Sequence, residues 1–195
     1  MKFVVEALGL TTGGGKQLAL DLISHLAYHT DHEFVLLLPD LPGYPEAANL
    51  RRIACRVPRS LSVRYRFLNH SVPRICAQQG ANALLCLGNL APRRSPCPTV
   101  VLLHNAYLVC REPVAERRQA VRQRLQLMCS RVLLRSLVPQ TRVIVQTEVM
   151  KRHMLAQRRL PAGNVSIIPN GHSVSQDAGH NVPVERPAES PFTFL

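Results

Sequence analysis

Gly13, Gly14 and Gly15 stand in a row between an apolar segment at residues 2–7 and a stretch with helical periodicity. Glycine has no Cβ, so the backbone N–H groups of such a loop can come close to a phosphate, and the helix that follows adds the positive end of its dipole. The run reads either as an anion cradle or as a tight strand-to-helix turn that holds nothing. His104 and Asn105 follow a second apolar segment, residues 99–103, on the way to Tyr107. A histidine at a strand end can hydrogen-bond a sugar hydroxyl or a developing charge, or it can tie down its own loop. Thr147 holds the corresponding place after residues 142–146, as Gly88 and Asn89 do after residues 83–87.

Other chemistries fit these residues poorly. A Walker-type loop needs Ser or Thr after its lysine to hold magnesium, whereas Lys16 is followed by Gln17 and the first glycine is out of register. A dinucleotide fingerprint wants a third glycine where Leu18 stands, although Asp40 could serve as its ribose-binding acid. His25, His29 and His32 have helical spacing but no cysteine or carboxylate cluster beside them, so they read as a solvated helix end and not as a metal site. No Ser-His-Asp or Cys-His arrangement stands out, and the aspartates are too few to suggest a carboxylate pair for hydrolysis.

The elements that must position these groups alternate along the chain. Residues 2–7, 33–38, 51–57, 83–87, 99–103, 142–146 and 165–168 read as strands, with helical patterns after Gly15, at 61–79, from about 113 to 137 and at 148–157. Pro73 is expected to kink or break the second helix, and Pro139 to close the third. Strands alternating with helices through right-handed crossovers predict an α/β fold, a parallel sheet with helices on both faces. In such a sheet ligands bind beyond the carboxyl ends of the strands, where the glycine run, His104, Asn105 and Thr147 fall. The third helix carries Arg117, Arg118, Arg122, Arg124, Arg131 and Arg135, and its apolar stripe of Val121, Leu125, Met128 and Val132 is expected to face the sheet. Such a helix could also rest on an anionic membrane; without interleaved aromatics, nucleic acid is not expected.

The 195 residues suffice for one well-packed domain and a tail. With no Trp and 5% aromatics the core must be aliphatic, which suits a parallel sheet. A net charge of +12 points to an anionic partner such as nucleic acid, an acidic membrane or a phosphorylated substrate, or it only keeps the chain in solution. The six cysteines are spaced singly without a C-x-x-C pair, the usage of reduced thiols in a cytosolic protein. The start lacks a signal-peptide pattern and no run reaches ~18 apolar residues, so a cytoplasmic location is expected.

Taken together, Gly13-Gly14-Gly15, the His104-Asn105 strand end, residues 143–147 ending in Gln146-Thr147, and Ile167-Ile168-Pro169-Asn170-Gly171 resemble glycosyltransferase family 4 in their order and spacing. The resemblance runs over nearly the whole chain to Gly171 and implies the amino-terminal, Rossmann-like half of a two-domain GT-B fold. Residues 1–171 would form that domain, 172–191 a linker, and 192–195 the start of a missing carboxyl-terminal domain. It also implies retaining transfer of a sugar from a nucleotide-diphosphate donor, with no metal or other cofactor, to a glycan, lipid or small acceptor. On this resemblance Gly13, Gly14, Gly15 and Asn105 approach the donor phosphates and sugar, and His104 acts catalytically near the reacting carbon. Thr147 lies on the cleft wall, and Asn170 and Gly171 lead into the hinge. The partners implied are a nucleotide sugar, a glycan or lipid-linked acceptor, the missing domain, and peripheral contact with an anionic membrane on its inner face.

Family members hold the nucleotide chiefly through the second domain, and the aspartate that often follows Pro-Asn-Gly is replaced here by His172, Ser173 and Val174. The chain by itself is therefore expected to be inactive. The competing expectation is a non-catalytic basic domain that binds an anionic membrane surface or polymer through its arginine helix.

Overall fold

Short runs rich in Val, Ile and Leu form seven strands: β1 (Lys2–Glu6), β2 (Glu33–Pro39), β3 (Leu50–Cys55), β4 (Ala83–Cys86), β5 (Thr99–Leu103), β6 (Arg142–Val145) and β7 (Val165–Ile167). The computed structural model describes residues 1–40, 43–55, 60–110, 121–134, 137, 140–157 and 160–169. Every neighbouring pair is parallel, in the order β3-β2-β1-β4-β5-β6-β7. Among the described residues four α-helices accompany the sheet: α1 (Gly13–Ala27), α2 (Leu61–Gln79), α3 (Val121–Leu134) and α4 (Glu148–Gln157).

Successive side chains of a strand point to opposite faces, and both faces of this sheet are covered. Val35 and Leu37 enter one core with Leu68 and Val72 of α2, Leu127 and Leu134 of α3, and Met150 and Met154 of α4. Their neighbours Phe34, Leu36 and Leu38 enter the other core with Ala19 and Ile23 of α1. The expected parallel α/β sheet with helices on both faces is the fold observed, and the strand ends agree with the sequence reading to within two residues.

Two expectations are corrected. The helix at 61–79 does not end at Pro73 but runs through it, from Ser60, whose Oγ accepts from Val63 N at 3.3 Å, to a left-handed Gly80. The stripe Leu125, Met128 and Val132 does not face the sheet, since each residue is 61% exposed while Leu127 and Leu134 are buried. The inward face of α3 instead includes Arg131, which donates from Nε and a terminal nitrogen to the Tyr107 carbonyl at 2.9 and 2.6 Å. Carbonyl acceptors at the end of the β5 loop thus draw in an arginine that amphipathic periodicity had assigned to solvent. The start of the predicted long helix, and the predicted linker and last strand at 172–195, lie outside the described residues.

Candidate functional site

The sheet order reverses at β1 and β4, and the loops after these two strands leave a crevice beyond their carboxyl ends. After β1 the chain turns tightly, Leu10 N donating to Ala7 O at 3.0 Å, and passes an extended Thr12 to Gly13, whose φ of +59° opens α1. Thr12 makes no side-chain cap and the first turn has no acidic residue, so the α1 amino-terminus keeps its positive end uncompensated by side chains. After β4 come Gly88 and Asn89, and after β5 come His104 and Asn105. A cavity of about 410 Å³ opens there, lined among others by Leu10, Arg64, Asn89, His104, Asn105 and Ser130.

Asn89 ties the second and third loops together. Its Oδ1 accepts from His104 N at 3.0 Å and Asn105 N at 3.1 Å, and its Nδ2 lies 3.2 Å from His104 Nε2. It is the non-glycine residue with positive φ (65°) among the described residues. Burial pushes the His104 pKa below its ordinary value, the Arg64 charge acts the same way, and the Leu87 carbonyl opposes both. The imidazole is therefore neutral at neutral pH. A Cβ on Gly15 would stand 3.1 Å from Leu10 Cδ2 and 3.7 Å from His104 Nε2, so the missing side chain leaves room between the α1 turn and the ring.

At the wall of the cavity lies a partly buried ion pair. Arg64, in the first turn of α2, passes its guanidinium between Gly9 and Gly88, where a methyl group on either glycine would overlap it. It donates to Gly88 O at 2.8 Å and lies 3.9 Å from Oε1 of Glu6, which is fully buried at the end of β1. Oε1 also accepts from Leu8 N at 3.1 Å, while Oε2 has no hydrogen-bond partner. Burial raises the Glu6 pKa, against the opposing pull of Arg64 and the Leu8 amide.

Of the residues expected at the site, His104 and Asn105 line the cavity and Gly15 adjoins His104. Gly13 and Gly14 are exposed at the helix start, where an added Cβ would meet nothing within 4 Å. Thr147 is apart from the cavity: its Oγ1 accepts from Met150 N at 3.2 Å and begins α4. Asn170 and Gly171 lie outside the described residues. Sequence reasoning missed Arg64, Glu6 and the role of Asn89; a charge in an otherwise apolar strand and the isolated Gly9 and Gly88 were the available signals.

Among the described residues no three His, Cys, Asp or Glu side chains are placed to hold a metal ion. The six cysteines are thiols, not disulfides, and burial with the neighbouring Cys97 pushes Cys76 up to about 12, far from a reactive thiolate. His25 and His29 are exposed at the end of α1, while His32 packs on Phe3 and Phe34. No helix among the described residues is long and apolar enough to cross a membrane.

A second, larger groove of about 900 Å³ runs between α2 and α3, lined by Leu61, Tyr65, Leu125, Met128, Val132 and Leu133 among others. No curated protein matches the chain. The family model described as Glycosyltransferase Family 4 matches residues 12–176.

Proposed function

The chain belongs to glycosyltransferase family 4, and from that premise we propose that it is the acceptor-side half of a retaining transferase that moves a sugar from a nucleotide-diphosphate donor to a glycan, lipid or small acceptor. The observation that carries the reading is the meeting of Gly15, Asn89 and His104 at the crevice between β1 and β4. The uncapped start of α1 suits the donor diphosphate, since free N–H groups and the helix dipole both favour an anion. His104 faces the space left by Gly15, which leaves room for the donor sugar beside the ring. The cavity over Arg64 and Ser130 receives the acceptor. A second domain closing over this edge supplies the remaining contacts to the nucleotide, and no metal takes part.

Donor binding to this chain is accordingly weak but local. Backbone amide spectra recorded against a panel of nucleotide-diphosphate sugars should move Gly13, Gly14, Gly15 and His104 first, and His104→Ala should remove the effect. Shifts scattered over the basic surface, or none at saturating donor, would sink the reading.

A second reading is favoured by the exposed stripe of Leu125, Met128 and Val132, with exposed Arg66 and Arg124 nearby. An apolar strip beside cations suits the surface of an anionic membrane, with or without catalysis. Sedimentation with vesicles containing an acidic phospholipid tests it: replacing Leu125, Met128 and Val132 together by Ser should release the chain, and retained binding would exclude this face.

A further inference from the structure

We propose that Asn89 is the positioning residue of the site: it fixes His104 as the tautomer protonated on Nδ1, with the single lone pair of Nε2 held by Asn89 Nδ2. The argument starts from Oδ1, which accepts two backbone N–H groups, those of His104 and Asn105. An amide NH₂ cannot accept, so these two bonds decide which end of the side chain is oxygen. The atom 3.2 Å from His104 Nε2 is then Nδ2, a pure donor, and Nε2 must offer its lone pair. In a neutral ring the proton is left on Nδ1, which is buried and has no hydrogen-bond partner. Arg64, the charged group acting on the ring, disfavours a second proton.

The backbone supports the same assignment. Asn89 sits at φ 65°, a conformation that is unfavourable for a residue with a Cβ and that asparagine tolerates better than most. Strain of this kind persists where the surroundings over-determine it, and here three hydrogen-bond contacts from one side chain do so. The one lone pair of Nε2 is taken by Nδ2, so a ligand oxygen engages the pair by accepting from the second N–H of Nδ2.

The proposal rests on the transferase reading for what His104 does to a ligand, but not for how the ring is held. The test is therefore made on the free chain: histidine ring nitrogen–proton correlation spectra of the labelled protein, with His104 assigned by its loss in His104→Gln. The expected wild-type pattern is protonated Nδ1 and bare Nε2. Asn89→Asp keeps an oxygen for both backbone amides but puts an acceptor against Nε2, so the proton should move to Nε2 and the ring should hold its charge to higher pH. If that variant does not fold, Asn89→Gly, which suits the same φ, should show a mixture of tautomers. A wild-type ring protonated on Nε2, or a folded variant with the wild-type pattern, overturns the proposal. A chain with the expected spectra that binds no donor instead overturns the transferase reading alone.

Discussion

Glu6 and His104 make opposite demands on pH because burial acts on opposite charge types. The folded pKa of His104 lies below its ordinary 6.5, so the unfolded chain binds the extra proton first and stability falls as pH drops below that value. The folded pKa of Glu6 lies above 4.5, so here the native state binds the proton and stability falls as pH rises from that value through the folded pKa. Thermal melts of Glu6→Gln should therefore lack the loss that wild type shows on this rise. A pH dependence of Tm identical to wild type would mean that Glu6 is not buried as described. Arg64→Ala strands the carboxylate and should cost about 3 kcal/mol near neutral pH, less in acid where Glu6 takes a proton; chemical denaturation at both pH values measures the difference. Gly88→Ala forces the guanidinium out and should weaken the fold in the same direction. The pair was not legible beforehand: that Glu6 stood in an apolar strand was visible, but its partner Arg64 lies far along the chain, and only the folded sheet brings them together.

Among the elements, α2 and α3 show how far hydrophobic periodicity reaches. Both were foreseen as helices, yet period alone fixes neither which stripe meets the sheet nor what a proline does inside a packed helix. On α3 the inward face is set by Leu127, Arg131 and Leu134, at helical spacings of four and three, with Arg131 held by the Tyr107 and Cys110 carbonyls. Arg131→Ala should free the loop that follows His104 and Asn105. Faster amide exchange at residues 106–110, with β1 and β4 unchanged, is the expected outcome, and unchanged loop exchange would mean that these bonds hold nothing. The start of α2 matters for a different reason, because it aims Arg64. Ser60→Ala removes the cap on Val63 N and should cost about 1 kcal/mol, or about 2–4 °C in Tm for a chain of this size.

For the molecule as a whole, alternation of strands and helices was enough to give a parallel sheet, because parallel neighbours require crossovers. The strand order was not legible. It depends on which apolar runs pair across long stretches of chain, and it places β4 against β1, so that Gly9 and Gly88 flank one arginine and Asn89 reaches the end of β5. The site is therefore a product of topology more than of any local motif, and its stability should follow the centre of the sheet. Among the described residues β1, β4 and β5 each have two partners, whereas β3 and β7 have one, and β3 presents exposed Arg51 and Arg52 at its edge. Charges on an edge strand discourage pairing with another chain. Native-state hydrogen exchange should then rank β1, β4 and β5 as the slowest strands and β3 and β7 as the fastest. If β4 or β5 opened as readily as the edges, His104 and Asn89 could not be held in one geometry by the sheet, and the arrangement at the crevice would have to form on ligand binding instead.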